Sequence, residues 1–139
     1  MSKRQEDVKK VQEIMDNHQT VMFATHTMDG SLVSRPMTTQ SPEKDGDIWF
    51  FVSSDADVID EIEANDAVNV AYIGKDQYVS VAGKAVLVDD DAKKKELWYD
   101  ELEQWFEGSD PESPDVKLIK VDASTARFWD GRDSGKIDY

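Results

Sequence analysis

An arginine inside an apolar, strand-like run is the most chemically suggestive feature of this chain. Arg35 is followed by Pro36 and Met37 within residues 32–39. Proline has no backbone N–H to donate to a sheet, so Pro36 is expected at an edge or bulge where a ligand can approach the backbone. A guanidinium at such an edge presents a rigid fork of donors that suits a phosphate or a planar polar ring. The alternative is that Arg35 is an ordinary strand residue whose head lies in solvent.

A second run of residues has the features of an anion site. Residues 49–52 are continuously apolar and end in Ser53 and Ser54, after which a short helical pattern begins. The first N–H groups of a helix have no intrahelical partner, and they attract anions. The sequence therefore predicts a candidate anion site directly after this strand.

Other chemistries find little support in the sequence. The chain has no cysteine, which excludes disulfides, thiolate nucleophiles and cysteine-ligated metals. His18 and His26 make no convincing metal site, and no G-x-S-x-G motif accompanies them. The acidic residues 89–91 lack the glycine and distal glutamate of a calcium-binding loop, and they are expected to begin a helix. We therefore assign no metal ligand and no catalytic residue.

The elements that must position these residues follow from the hydrophobic periodicity. Ser2 and Gln5 form a predicted capping box for an N-terminal helix. Gly83 falls where a barrel strand must bend sharply, and the last ten residues read as a tail that is ordered only if it docks. The sequence predicts helices at about 3–18, 55–64 and 89–107, and strands at about 21–25, 32–40, 47–52, 67–73, 77–88, 116–121 and 125–129. Short strands with only peripheral helices favour a small antiparallel barrel in a single domain over residues 1–139.

Charge and hydropathy limit the partners and the compartment. The formal net charge of −14 argues against nucleic acid or an anionic membrane as a partner, because binding there depends on neutralising phosphates. No apolar run approaches the length of a membrane span, and the polar first residues do not resemble a signal peptide. We expect a soluble cytoplasmic protein whose acidic surface is either simply solvated or adapted to a saline habitat.

The order of several motifs resembles the FMN-binding split-barrel family, and within it the pyridoxamine 5′-phosphate oxidase-like branch called general stress protein 26. The resemblance runs from about residue 8 to about residue 131. It implies a mainly β fold, a six-stranded antiparallel split β-barrel, and a homodimer with two flavins at the subunit interface. The motifs that carry it are Ala24-Thr25, Asp29-Gly30, residues 34–37, 48–51, 68–72 and 81–85, Leu97-Trp98, Gly108 with Asp110-Pro111, and residues 126–130.

The resemblance also implies a site for the cofactor. In the family, the segment that matches Arg35, Pro36 and Met37 lies against the isoalloxazine ring and ribityl chain of FMN. Trp98 and Trp129 are expected near the ligand in the dimer, whereas Trp49 and Trp105 are assigned to packing. The predicted cofactor-binding residues are Arg35, Pro36, Met37, Phe51, Val52, Ser53, Ser54, Trp98 and Trp129.

The expected phosphate turn departs from the family pattern. Relatives usually carry a threonine, a serine and a lysine there, at positions that align with Val52, Ala56 and Val58. Asp55, Asp57 and Asp60 crowd the same turn, so the cofactor is predicted to be FMN that is weakly bound or absent. The predicted function is an FMN-dependent oxidoreductase of the general stress type. The alternative is a non-catalytic homodimeric binding protein on the same fold that has lost FMN.

The dimer interface is predicted from the aromatic content of the chain. It is expected to bury part of the third strand, its following turn and residues 97–106. The predicted partners are a second copy of the chain, a small-molecule flavin and a substrate that the sequence does not identify. The electron donor is likewise not identified.

Overall fold

The chain folds around one curled antiparallel sheet with helices on its outside. The computed structural model describes residues 2–39, 46–99, 102, 106 and 110–139. Within these residues the helices are α1 (Lys3–Asn17), α2 (Asp57–Ala64) and α3 (Asp91–Leu97). The strands are β1 (Thr20–His26), β2 (Leu32–Thr38), β3 (Ile48–Ser53), β4 (Ala67–Ile73), β5 (Gln77–Val88), β6 (Val116–Asp130) and β7 (Asp133–Asp138). None of the described helices is long and apolar enough to cross a membrane.

The N-terminal helix begins as its sequence predicts. The Ser2 hydroxyl accepts a hydrogen bond from the Gln5 backbone N–H, and the Ser2 backbone N–H donates to the Gln5 side chain. This reciprocal capping box satisfies two backbone donors that the helix leaves free. Val11, Ile14 and Met15 form the buried face of α1, which fixes the helix against the sheet.

The strands follow the order β2-β1-β4-β5-β6-β3, and β7 pairs with the second half of β6. Every pairing is antiparallel. A bulge between Ala82 and Gly83 bends β5 where the sequence predicted a bend. A Cβ atom on Gly83 would lie 2.3 Å from the Asp122 carbonyl oxygen, so only glycine allows β5 and β6 to approach this closely.

The sheet curls until its two ends face each other across the core. Phe23 of β1 and Phe50 of β3 have ring centroids 5.0 Å apart, although three strands separate β1 from β3 in the sheet. The Thr39 hydroxyl donates to the Trp49 carbonyl oxygen at 2.7 Å, which ties the end of β2 to β3. The fold is mainly β, as predicted, but the sheet has seven strands and is open between β2 and β3. The predicted closure as a six-stranded barrel is therefore not confirmed.

The C-terminal third corrects three expectations. The two predicted strands at 116–121 and 125–129 are one continuous strand, β6, because residues 122–123 stay extended and pair with β5 at its bulge. The predicted tail forms β7, and its Ile137 is buried. The helix expected to reach residue 107 ends at Leu97, since Trp98 has an extended backbone. Trp105 and the other residues of 100–109, except 102 and 106, lie outside the described residues, as do residues 40–45.

Candidate functional site

A cavity of about 320 Å³ lies at the open side of the sheet, and three predicted ligand residues line it together. Pro36 and Met37 come from β2, and Phe51 comes from β3. Pro36 lies on an edge strand, as its missing N–H predicted. The remaining wall is formed by Thr20, Thr38 and Leu102. Ligand sites for small molecules commonly combine mostly apolar walls with a few polar groups, and this cavity is of that kind.

Trp98 lies behind the cavity wall, where its ring packs against the ring of Phe51. The two rings pack edge to face with centroids 5.4 Å apart, and Trp98 has an extended backbone directly after α3. The indole N–H of Trp98 is buried and has no hydrogen-bond partner among the described residues. A buried indole N–H normally finds an acceptor. An acceptor atom on a ligand beside Phe51 would satisfy this donor.

Arg35 belongs to an interior polar cluster and not to the cavity wall. It pairs with Phe23 of β1 in the sheet register, so its side chain lies on the inner face of the sheet. Its Nη2 atom lies 2.7 Å from the Glu61 Oε1 and 2.9 Å from the Thr25 hydroxyl. The Thr25 hydroxyl donates to the same Glu61 oxygen at 2.9 Å. The guanidinium is thus paired inside the protein, not held free at the sheet edge.

Glu61 and Thr25 are site residues that sequence reasoning missed. Glu61 lies on α2 beside Val58 and Ile62, which are the buried apolar residues of that helix. A carboxylate on the buried face of a helix implies a cation in the interior, because an unpaired buried charge is costly. That pattern, together with Arg35 in a neighbouring strand run, is the signal from which the pair could have been predicted.

The turn between β3 and α2 carries few groups that could hold a phosphate. The Ser54 N–H donates to the Asp115 carbonyl oxygen, and the Ser53 carbonyl accepts from Ala56. Ala56 is the N-cap of α2 and provides no side-chain hydrogen bond. The first turn of the helix is acidic, through Asp57 and Asp60.

Two of the positions where relatives carry phosphate ligands are core positions here. Val52 is 6% exposed and Val58 is 4% exposed, and both belong to the main hydrophobic core. The side chain of Val52 therefore lies in the core, and the binding of a flavin by Val52 stays a prediction. The cause is the alternation of β3, which directs Phe51 outward and Val52 inward.

Trp129 and Trp49 lie away from the cavity wall. Trp129 is 45% exposed on β6, opposite Tyr78 of β5, so a single chain does not bring it to the cavity. Arg127 lies two residues earlier on the same exposed face. Trp49 is half-buried under the Lys93 ammonium, which lies 4.8 Å from the ring centroid. Its assignment to packing thus holds, but outside the main core.

Histidines and carboxylates do not form a metal site within the described residues, where no three of them cluster. His18 follows α1 and lies against Gly74, and its Nε2 is buried without a partner in the described part of the chain. In the β1–β2 hairpin, hydrogen bonds from the Thr27 hydroxyl and the Ser31 N–H lower the pKa of Asp29 to about 2.

Comparisons with known proteins agree on one family. The family model described as "Pyridoxamine 5′-phosphate oxidase like" matches residues 6–139. The chain is 32% identical over 132 residues to General stress protein 26 of Bacillus subtilis strain 168, with 89% of each protein covered. A general stress FMN/FAD binding protein of Xanthomonas citri is 30% identical, with a TM-score of 0.78 over 94% of this chain and 93% of that one. General stress protein 26 of Bacillus anthracis has the same fold, with a TM-score of 0.83 at 23% identity over 96% of this chain and 99% of that one.

Proposed function

This chain belongs to the pyridoxamine 5′-phosphate oxidase-like family, and from that premise we propose that it binds a flavin and acts as an FMN-dependent oxidoreductase. The observation that carries the proposal is the cavity wall formed by Pro36, Met37 and Phe51. These residues come from the two facing ends of the sheet, and they present an apolar surface suited to a planar ring. The Trp98 indole N–H, which has no acceptor among the described residues, adds a donor for a ring heteroatom beside Phe51.

The residues fit the ring of FMN better than its phosphate. Arg35 is already neutralised by Glu61. Asp57 and Asp60 add negative charge to the turn where a phosphate is expected, and like charges near a surface repel by about 1 kcal/mol or more at close range. The donors that remain are backbone N–H groups at the start of α2. We therefore expect the ring to contribute most of the affinity and the phosphate little.

A bound flavin supplies the electron-transfer chemistry, and the protein supplies binding and orientation. Phe51, Met37 and Leu102 would exclude water from a bound ring, and the Thr20 and Thr38 hydroxyls would be available for polar contacts with it. Trp98 fixes Phe51 by edge-to-face packing. No acid or base is assigned, because no titratable side chain lines the cavity within the described residues.

The active form is proposed to be a homodimer. Ile73, Tyr78 and Trp129 lie opposite one another across β4, β5 and β6, and all three are exposed large apolar side chains. Such a row is a typical contact surface for a second copy. A dimer would also give Trp129 a route to the partner's cavity. Light scattering should show twice the 15.8 kDa chain mass, and a monomer at micromolar concentration would argue against a shared site.

The second candidate function is a non-catalytic binding protein on the same fold. The Arg35–Glu61 ion pair favours it, because the pair removes the cation that a flavin phosphate would need. In this case the cavity would take an uncharged planar ligand, or none.

Flavin titration distinguishes the two functions. The fluorescence of riboflavin and of FMN should be quenched on binding. Phe51→Ala should weaken the binding of both flavins by about tenfold, because it removes apolar contact with the ring. Val86→Ala removes an exposed apolar side chain of β5 that lies neither on the cavity wall nor in the row of Ile73, Tyr78 and Trp129, and it is the control. Reduction of the bound flavin by NADH or NADPH faster than free flavin supports the oxidoreductase. Equal rates for bound and free flavin favour the binding protein, and the absence of binding of either flavin rejects the oxidoreductase.

A further inference from the structure

Lys94 is a buried lysine that does not line the flavin cavity. It is 6% exposed on α3, and its ammonium donates to the Ser113 carbonyl oxygen at 3.2 Å. An ammonium has three N–H donors. Within the described residues no carboxylate pairs with Lys94, so two donors have no protein acceptor. Lysine is rarely buried without a partner for its charge.

The neighbouring lysines show that this is particular to Lys94. Lys93 forms an ion pair with Glu96 and lies over Trp49. Lys95 pairs with Glu112. Three consecutive lysines therefore have three different environments, and in the described part of the chain the most buried of them has only a neutral carbonyl as its partner.

Lys94 lines a separate cavity of about 150 Å³ between the end of β5 and the start of β6. Lys117 of β6 lines the same cavity and makes no hydrogen bond or ion pair among the described residues. Asp89 is the acidic residue of the wall, and the other lining residues are aliphatic. The volume equals about five water molecules at about 30 Å³ each, which is enough for one tetrahedral oxyanion.

We propose that this cavity binds a small tetrahedral oxyanion, either inorganic phosphate or the phosphate of a monoester, between the ammonium groups of Lys94 and Lys117. The chain as a whole carries a charge of −14 and repels anions. A saturable anion site therefore needs local cations that are not already neutralised by carboxylates, and among the described residues no carboxylate pairs with either lysine. The anion would accept the two N–H groups that Lys94 leaves without a protein partner.

The test compares sodium phosphate with sodium chloride at equal ionic strength, using the full chain and following its melting temperature. Screening of the −14 charge stabilises the protein equally in both salts. An anion that binds only the folded state adds a further, saturable rise in phosphate alone. Three variants separate the site from general salt effects: Lys94→Met, Lys117→Gln and the control Lys84→Gln, an exposed lysine of β5.

We expect Lys94→Met to abolish the phosphate-specific rise and Lys117→Gln to weaken phosphate binding by about tenfold, the usual scale for a charged hydrogen bond. Lys84→Gln should behave as wild type. If Lys94→Met does not fold, the exposed Lys117→Gln carries the test. The proposal is overturned if wild type shows no phosphate-specific rise in melting temperature, or if wild type and Lys117→Gln show the same rise.

A second titration identifies the source of the phosphate. If the occupant is the phosphate of FMN, Lys117→Gln weakens FMN binding and leaves riboflavin binding unchanged. If the occupant is a free anion, the ratio of FMN to riboflavin affinity is the same in wild type and Lys117→Gln, and only the phosphate-specific rise is lost. Inorganic phosphate is tested without flavin, so the anion result can be interpreted even if the protein binds no flavin.

Discussion

The Arg35 guanidinium of β2 lies 2.7 Å from the Glu61 carboxylate of α2, and the Thr25 hydroxyl bonds to both. The two charged side chains are 24% and 11% exposed, so water screens the pair only partly. The contact joins the helix that follows the expected phosphate turn to the strand that carries Pro36 and Met37. The ion pair therefore links the position of that turn to the cavity wall. It also neutralises a positive charge that would otherwise be available to an anionic ligand.

Replacing Glu61 by glutamine should release Arg35 for an anionic ligand. Glutamine has nearly the same shape and keeps an oxygen for Thr25, but it no longer neutralises the guanidinium. FMN binding should tighten by about three- to tenfold, on the scale of a partly exposed charged contact. Riboflavin binding should not change, because riboflavin has no phosphate. Fluorescence titration of both flavins measures the two effects.

Glu63→Gln is the control for that substitution, since Glu63 is an exposed carboxylate on the same helix. It removes the same charge without touching Arg35. An equal change of FMN affinity in Glu63→Gln and Glu61→Gln would assign the effect to net charge and contradict a specific role for the pair.

A double-mutant cycle with Arg35→Met and Glu61→Gln should reveal a coupling free energy of unfolding. Removing one partner leaves the other partly buried and unpaired, which typically costs about 3–5 kcal/mol in a fully buried pair and less here because Arg35 is partly exposed. We expect a coupling of about 1–3 kcal/mol from urea denaturation of the four proteins. Additive effects within about 0.3 kcal/mol would mean that the contact contributes nothing to the fold.

Ala56→Ser should stabilise α2. Ala56 is the N-cap of the helix, with an extended backbone and no side-chain hydrogen bond. A serine hydroxyl at this position can accept a hydrogen bond from a first-turn N–H, which is worth about 0.5–2 kcal/mol. Ala64→Ser, at the other end of the same helix, should not stabilise. Equal denaturation midpoints for wild type and Ala56→Ser would show that the first-turn N–H groups already have partners.

Asp29 should make the stability of the protein depend on acid pH. Hydrogen bonds from Thr27 and Ser31 hold its pKa at about 2 in the folded state, below the ordinary aspartate value of 3.8. The ionised carboxylate therefore contributes stability above about pH 4, and this contribution is lost as the pH falls toward 2. Melting temperatures between pH 5 and pH 2 should fall less steeply for Asp29→Asn than for wild type. Parallel curves would indicate that these hydrogen bonds do not persist in solution.

Local patterns were enough to predict most individual elements. The capping box at Ser2 and Gln5 was confirmed, the bounds of β4 and β5 agree with the prediction, and the bend at Gly83 is a bulge. Each of these depends on residues that are close in sequence or on one special backbone requirement. The continuity of β6 and the pairing of β7 depend instead on a partner strand, which no local pattern contains.

The site was predictable only in part, for the same reason. Pro36, Met37 and Phe51 share a cavity, as the resemblance implied. The sequence predicted that the Arg35 side chain contacts a ligand or lies in solvent. Its actual partner is a carboxylate 26 residues later on the buried face of α2, which the local pattern around Arg35 does not contain. Val52 and Val58 were aligned with phosphate ligands, but burial in the core is decided by the tertiary fold.

The most direct test of the central claim is a side-by-side titration of the wild-type protein with riboflavin and FMN. In our account, the cavity of Pro36, Met37 and Phe51 binds the flavin ring and Arg35 is paired with Glu61. Both flavins should then bind, and their dissociation constants should differ by less than about tenfold, or about 1.4 kcal/mol. Binding of FMN that is a hundredfold or more tighter than binding of riboflavin would contradict the account, because it would require a strong phosphate site.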